Sequence, residues 1–307
     1  MNHPLKINLT NELLELENFI IHRSCDIEQW FRTQWLENQA PFYGSVDLRN
    51  SGFKLAPVDM NLFPGGFNNL NPDFAALSVQ AASVAIEKVC PEAKKVLIIP
   101  EKHTRNKFYL KNLFQLREIL KNSGLEVRIG TVDKNISEKT DIYIDDSHSI
   151  TLELIQRRED FLFIKNKDGS EFIPCSIILN NDLSGGVPEI IKDLGQQIIP
   201  PIEAGWPTRR KSSHFHIYSQ VAKEFSSLTN SDPWLIDPMF KKIDNLDFSL
   251  REGEDKLVQT IDKLLNQIQK KYDQYNIPQD PYVVIKADAG TYGMGVMTVK
   301  NSSEAIN

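Results

Sequence analysis

A lysine closing an apolar run, with glycines following at 290, 293 and 295, is the combination in this sequence with the plainest chemistry. In YVVIKADAGTYGMGVMTVK the alternation of a strand sends Val283, Ile285 and Ala287 to one face and Tyr282, Val284 and Lys286 to the other. Gly290, Gly293 and Gly295 tolerate positive φ, so the backbone from Asp288 to Gly295 can approach a ligand and aim successive N–H groups at phosphate oxygens. An ammonium at the base of such a loop adds a point charge to those donors. The segment is not a Walker loop, which needs Gly-x-x-x-x-Gly-Lys-Ser/Thr opening a helix, nor a dinucleotide fingerprint, since it returns into a second strand at Val296 to Val299. The expected contacts to the triphosphate of ATP are Lys286, Asp288, Gly290, Thr291, Tyr292, Gly293, Met294 and Gly295. A plain hairpin turn, with glycines placed for geometry, is the competing reading.

Further polar groups collect in three places. PFYGSVDLRNSGFKLAPVDMNLFPGGFNNLNP mixes Asp, Arg, Lys and Asn with aromatics, a composition suited to an amino-acid substrate carrying an ammonium and two carboxylates. Arg49, Lys54 and Asn68 are its candidate substrate contacts, although Asn and Asp in such loops also bond their own backbone. In NNDLSGG, the residues Asn180, Asn181, Asp182 and Ser184 follow a strand, at the edge where open α/β sheets bind ligands. Arg209, Arg210 and Lys211 form a short basic run, which steers phosphates or simply faces solvent. His214 and His216 lack the i, i+4 spacing of a helical metal pair.

Several elements must hold these groups. Thr10 and Asn11 cap a helix with Leu13, Leu16 and Ile20 on one face, and Ile27, Trp30 and Trp35 continue or restart it. Periodicity fails from Pro41 to Leu70, which reads as a long irregular functional segment. Asn71 and Pro72 then open a helix. Val96 to Ile99, Lys107 to Asn122 and Leu125 to Ile129 read as strand, helix and strand of a βαβ unit, with Gly124 as the helix stop. Phe161 to Lys165 and Phe172 to Cys175 flank the turn signal Asp168-Gly169, Ser176 to Leu179 is another strand, and a helix follows with Pro188 in its first turn. Lys211 to Ser227 is helical, and Leu257, Ile261, Leu264, Ile268 and Tyr272 mark a longer amphipathic helix before the glycine hairpin.

The chain has 307 residues, 35 basic against 41 acidic, and a net charge of -6, which leaves no electrostatic footprint for a nucleic acid or an anionic membrane. No secretory h-region or apolar run of bilayer length is present, so a cytoplasmic location is expected. Cys25, Cys90 and Cys175 are too few and too scattered for a disulfide framework or a zinc site. The partners expected are small molecules, and a homo-oligomer is compatible with the composition.

VIKADAGTYGMGVMTV resembles the phosphate-covering hairpin of ATP-grasp ligases, and SVDLRNSGFKLAPVDMNLFPGGFNNLNP with GWPTRRKSSHF resembles the proteobacterial, ATP-grasp type of glutamate–cysteine ligase. The resemblance implies an α/β fold: a Rossmann-like pre-ATP-grasp substrate domain over residues 1–205, then over 206–307 the start of an ATP-grasp nucleotide domain with its glycine-loop β-hairpin. It implies catalysis by Lys286 and by a second lysine, for which Lys211 is the candidate and Lys223 the competitor. ATP and Mg2+ would be the cofactors, with glutamate and cysteine joined through an acyl-phosphate. No metal ligand is assigned, because the family's magnesium-binding residues are expected beyond Asn307, as in a truncated product or one part of a split gene. The alternatives are an ATP-grasp ligase with another amine acceptor and a non-catalytic ligand-binding remnant.

Overall fold

The computed structural model describes residues 11–63, 65–101, 106–133, 136, 139–289 and 296–306. In chain order its elements begin with helices α1 (Asn11–His22) and α2 (Ser24–Glu37), strands β1 (Ser45–Asn50) and β2 (Leu55–Asn61) and helix α3 (Ala75–Val89). Then come β3 (Lys95–Pro100), α4 (Lys107–Asn122), β4 (Glu126–Thr131), β5 (Thr140–Tyr143) and β6 (Ser149–Leu154). They are followed by β7 (Gln156–Arg158), β8 (Phe161–Lys165), β9 (Glu171–Phe172), β10 (Ser176–Asn180) and β11 (Gln197–Ile199). Helices α5 (Lys211–Thr229) and α6 (Glu254–Gln274) and the strands β12 (Val283–Ile285) and β13 (Met297–Val299) complete the chain. These elements form two compact units. One comprises His22–Arg49 and Pro57–Thr208; the other comprises Met1–Ile21, Asn50–Ala56 and Arg209–Asn307.

The first unit is a mixed α/β structure around a six-stranded sheet of order β11-β10-β3-β4-β6-β5. Its strands run parallel except β5, which pairs antiparallel with β6 at the edge. The apolar run of β3 supplies both faces. Val96 and Ile98 join Leu110, Leu113, Leu116 and Leu120 of α4, while Leu97 and Ile99 join Leu162, Ile164 and Phe172 of the small antiparallel sheet β7-β8-β9. A strand buried on both faces lacks polar alternation, as expected of a parallel sheet covered on each side. Each such side chain contributes about 1.5–3 kcal/mol by leaving water.

Local signals set the ends of α4. The Asn106 side chain accepts from the N–H groups of Phe108 and Tyr109. At the other end Gly124 has φ +91, its N–H reaches Lys121 O, and the Leu125 N–H reaches Leu120 O, which together make a Schellman stop. Asn71 likewise accepts from the Asp73 N–H, opening a 3-10 turn at Pro72 that leads into α3.

Two expectations need correction. The helix expected after Pro188 is a single 3-10 turn, Glu189–Ile191. The Arg157 guanidinium takes the carbonyls of Glu189, Ile190 and Lys192 at 3.3, 3.3 and 2.7 Å, so they are not free to propagate a helix. The segment read as irregular from 41 to 70 contains the two-stranded sheet β1-β2. All of β1 after Ser45 is exposed, so no buried face imposed the alternation that identifies a strand in sequence.

The second unit packs α6 against the strand pair β12-β13 and against α1. Leu257 and Ile261 of α6 meet Val283, Ile285 and Val299 of the antiparallel pair β12-β13. Further along, Tyr272 joins Leu13 and Leu16 of α1 with Phe53, Trp234 and Leu235. As the alternation predicts, Val283 and Ile285 face this core while Tyr282 and Val284 are exposed. Among the described residues no helix is long and apolar enough to cross a membrane.

Candidate functional site

In the second unit, Lys211, Lys286 and Asp288 come together at the amino end of α5. Arg210, which precedes the helix, offers no capping side chain. Asp288 caps the helix instead. Its backbone carbonyl accepts the Lys211 N–H at 2.9 Å, and its carboxylate accepts the Ser212 N–H at 2.7 Å and the Ser212 hydroxyl at 2.9 Å. Two of the orphan donors of the first turn are thereby satisfied by a residue 76 positions away in sequence.

Lys286 meets α5 at Phe215. Lys211 and Phe215 stand at i and i+4 and share a face of α5. The Lys286 amine lies over the buried Phe215 ring, 5.6 Å from its centroid. Lys242 adds charge nearby. Its amine is raised first by its ion pair with Asp244 at 2.7 Å and then by Asp288, while Arg210 opposes the rise. Arg210, Lys211, Lys242 and Lys286 are thus four cationic residues in the neighbourhood of this helix end, where the Asp288 carboxylate is already occupied by Ser212, a composition that fits a polyanion such as a phosphate chain. Gly290, Thr291, Tyr292, Gly293, Met294 and Gly295 lie outside the described residues. Lys223 is exposed, farther along α5.

Ser212, Phe215 and Lys242 were not among the sequence candidates. A signal for Ser212 did exist, because a helix opening after Arg210 without a local cap must be capped from elsewhere.

Lys54, in the same unit, belongs to an aromatic cluster. Its Nζ sits 4.4 Å from the centroid of the Trp234 ring, which stacks on Phe53 at 6.1 Å and on Tyr275 at 5.2 Å. Burial pushes the Lys54 amine down to about 8, against the attraction of Asp237 and Asp232, with Lys271 adding repulsion. Asp232 is itself well bonded. Although burial works against its ionisation, Lys271 at 2.5 Å, the Trp234 N–H at 2.9 Å and Tyr275 at 2.7 Å hold it below the usual carboxylate range.

In the α/β unit, Asn180 closes β10 inside a buried hydrogen-bond network. Its side-chain oxygen accepts from Asn112 at 3.1 Å, and its carbonyl accepts the Tyr109 hydroxyl at 2.8 Å. Asn112 in turn accepts the Phe67 N–H at 3.0 Å, whereas the neighbouring Asn68 donates to Asn69 at 3.0 Å. Tyr43 donates to the Leu179 carbonyl at 2.5 Å, and burial pushes its phenol well above the ordinary range, with Asn180 opposing. Asn181 and Asp182 make tight local turns by accepting the N–H groups of Leu183 and Ser184. Asp182 is nearly buried, whereas Ser184 is exposed. Arg49 is exposed on β1. Among the described residues no group of His, Cys, Asp and Glu side chains is arranged to hold a metal ion, so no metal contact is assigned.

Comparison with known proteins adds the following. A family model described as GshA, glutamate-cysteine ligase, matches residues 17–307. The chain is also similar to the solved structure, at 1.90 Å, of a protein from Methylobacillus flagellatus KT assigned as a gamma-glutamylcysteine synthetase. The two share 52% identity with a TM-score of 0.90, over 99% of this chain and 70% of that one. No curated protein matches the chain.

Proposed function

Because the chain belongs to the glutamate–cysteine ligase family, whose reaction consumes ATP in the first step of glutathione synthesis, we propose that it is of the ATP-grasp type and that Lys286 and Lys211 grip the nucleotide. The observation that supports this reading is that the Asp288 carbonyl accepts the Lys211 N–H while the Lys286 amine lies over the Phe215 ring, one turn along α5 from Lys211. Lys286 and the backbone of the loop from Asp288 through Gly290, Thr291, Tyr292, Gly293 and Met294 to Gly295 cover the phosphates, and Lys211 meets them from the helix.

The reaction divides into two transfers. A γ-carboxylate oxygen of glutamate attacks the γ-phosphorus of ATP, forming an acyl-phosphate and releasing ADP. The cysteine amine then attacks the acyl carbon, phosphate departs, and the amine loses a proton to give the amide. No protein nucleophile is needed. The chain contributes position and positive charge where negative charge accumulates, which is the main source of catalysis in phosphoryl transfer. A loop closed over the phosphates also keeps water from the acyl-phosphate. Magnesium, when bound, neutralises phosphate charge, and MgATP is the form we propose the protein uses.

Arg49, Lys54, Asn68, Asn180, Asn181, Asp182 and Ser184 are the proposed substrate contacts. Arg49 is the strongest, because an exposed guanidinium is free to meet a carboxylate bidentately. Small molecules are the proposed partners, without nucleic acid or membrane, and exposed Trp35 and Leu36 on α2 support a homo-oligomer. Free Cys25, Cys90 and Cys175 support a cytoplasmic location.

Trapping tests the two-transfer reading. The gene's full product, given MgATP, glutamate and hydroxylamine without cysteine, should form γ-glutamyl hydroxamate and stoichiometric ADP. ADP that appears only when cysteine is present, with no hydroxamate under any condition, would remove the acyl-phosphate.

A further inference from the structure

We propose that Asp288 and Ser212 form a positioning clasp, in which the Asp288 carboxylate sets Lys211 and Lys286 against one phosphate chain by holding α5 and is not itself offered to nucleotide or metal. The inference rests on the nucleotide reading of those two lysines and assigns a different task to a residue at the mouth of the loop. Three hydrogen bonds define the clasp: Lys211 N–H to the Asp288 carbonyl, and the Ser212 N–H and hydroxyl to its two carboxylate oxygens. Both oxygens are therefore committed to the helix.

The consequence is geometric. Asp288 lies two residues beyond Lys286, and Ser212 directly follows Lys211, so the clasp fixes the backbones that carry both lysines. Without it, the first turn of α5 has no side-chain cap of its own, because Arg210 supplies none. That turn would fray, as uncapped helix ends do. Lys286 would keep its contact with Phe215, but the backbone of Lys211 would no longer be tied to the segment that carries Lys286. Positioning of this kind is sensitive, since displacements near an ångström at a phosphate-transfer site carry large penalties.

The test compares Ser212→Ala, Ser212→Thr, Asp288→Ala and the double variant Ser212→Ala/Asp288→Ala in the gene's full product. The readouts are MgATP affinity by calorimetry, KM for ATP, kcat, magnesium dependence and thermal unfolding. Losing a cap is worth a factor of about tenfold, so Asp288→Ala should weaken MgATP roughly tenfold and Ser212→Ala roughly threefold. The double variant should be no worse than Asp288→Ala, because the serine hydroxyl then has no acceptor to lose. Ser212→Thr should restore most of the affinity, and the magnesium optimum should not move. An unchanged affinity in both single variants overturns the clasp, as does a loss at Asp288 that Ser212→Ala does not share or that shifts the magnesium optimum. Failure of the unaltered protein to bind MgATP would instead remove the nucleotide reading itself, an outcome distinct from either.

Discussion

The amine of Lys286 rests over the ring of Phe215, one turn along α5 from Lys211. A ring face of this kind holds an ammonium in place while leaving its protons directed outward. Phe215→Leu keeps the apolar body and removes the π face. It should weaken MgATP about two- to fivefold, the equivalent of a cation–π contact of about 0.5–1 kcal/mol. Calorimetric titration checks this, and an affinity equal to that of the unaltered protein would show that Phe215 only fills space.

Lys54 should titrate near pH 8, since burial against Trp234 depresses its amine from an ordinary value of 10.5 to about 8. In the unfolded chain the amine holds its proton up to the ordinary value. Between pH 8 and 10.5 the unfolded state therefore binds more protons, and native stability rises with pH across that window. Below pH 8 the full cost of burying the charge is present. Lys54→Met should consequently be no less stable than the unaltered protein at pH 7, with the balance moving toward lysine as the pH rises to 10.5. Denaturant midpoints at several pH values decide it, and a difference that does not change with pH would contradict the shift.

Asn112 links Phe67 and Asn180 in the interior of the α/β unit. Replacing it with leucine removes the acceptor of the partly buried Phe67 N–H and the donor to the buried Asn180. The expected loss is about 3 kcal/mol, from roughly 1–3 kcal/mol for each group left without this partner. A urea unfolding curve showing a loss below about 1 kcal/mol would mean that the network is easily rearranged.

Gly130 is fixed by space. A Cβ added there would stand 2.5 Å from Cγ1 of Ile155 and 2.9 Å from Cδ1 of Leu97, both fully packed side chains. Gly130→Ala should destabilise the protein by about 1–3 kcal/mol through overpacking. Thermal unfolding at an unchanged midpoint would show that β4 shifts to make room.

Much of the α/β unit was legible in the sequence because its signals are local. The buried run of β3 and Gly124 at the end of α4 lie within a few residues of what they control. The site was legible in part. Lys286 and Lys211 stood out by residue type and setting, but Ser212 gains its role from Asp288, 76 positions away, and no local pattern encodes that pairing. Lys54 stood out as a substrate contact in a segment that mixes charged, polar and aromatic residues. Its stacking on Trp234 depends on a tertiary fold that brings the tip of β1-β2 beside an aromatic cluster. The 3-10 turn after Pro188 was missed for a similar reason, because Arg157 captures its carbonyls from another part of the chain.

The most direct measurement is the equilibrium affinity for MgATP of the gene's full product and of its Lys286→Ala, Lys211→Ala and Lys223→Ala variants. Loss of a charge-assisted contact should weaken binding about ten- to a hundredfold at Lys286 and at Lys211, with Lys223→Ala unchanged. Equal affinity across all four proteins would contradict the assignment of the nucleotide to this end of α5.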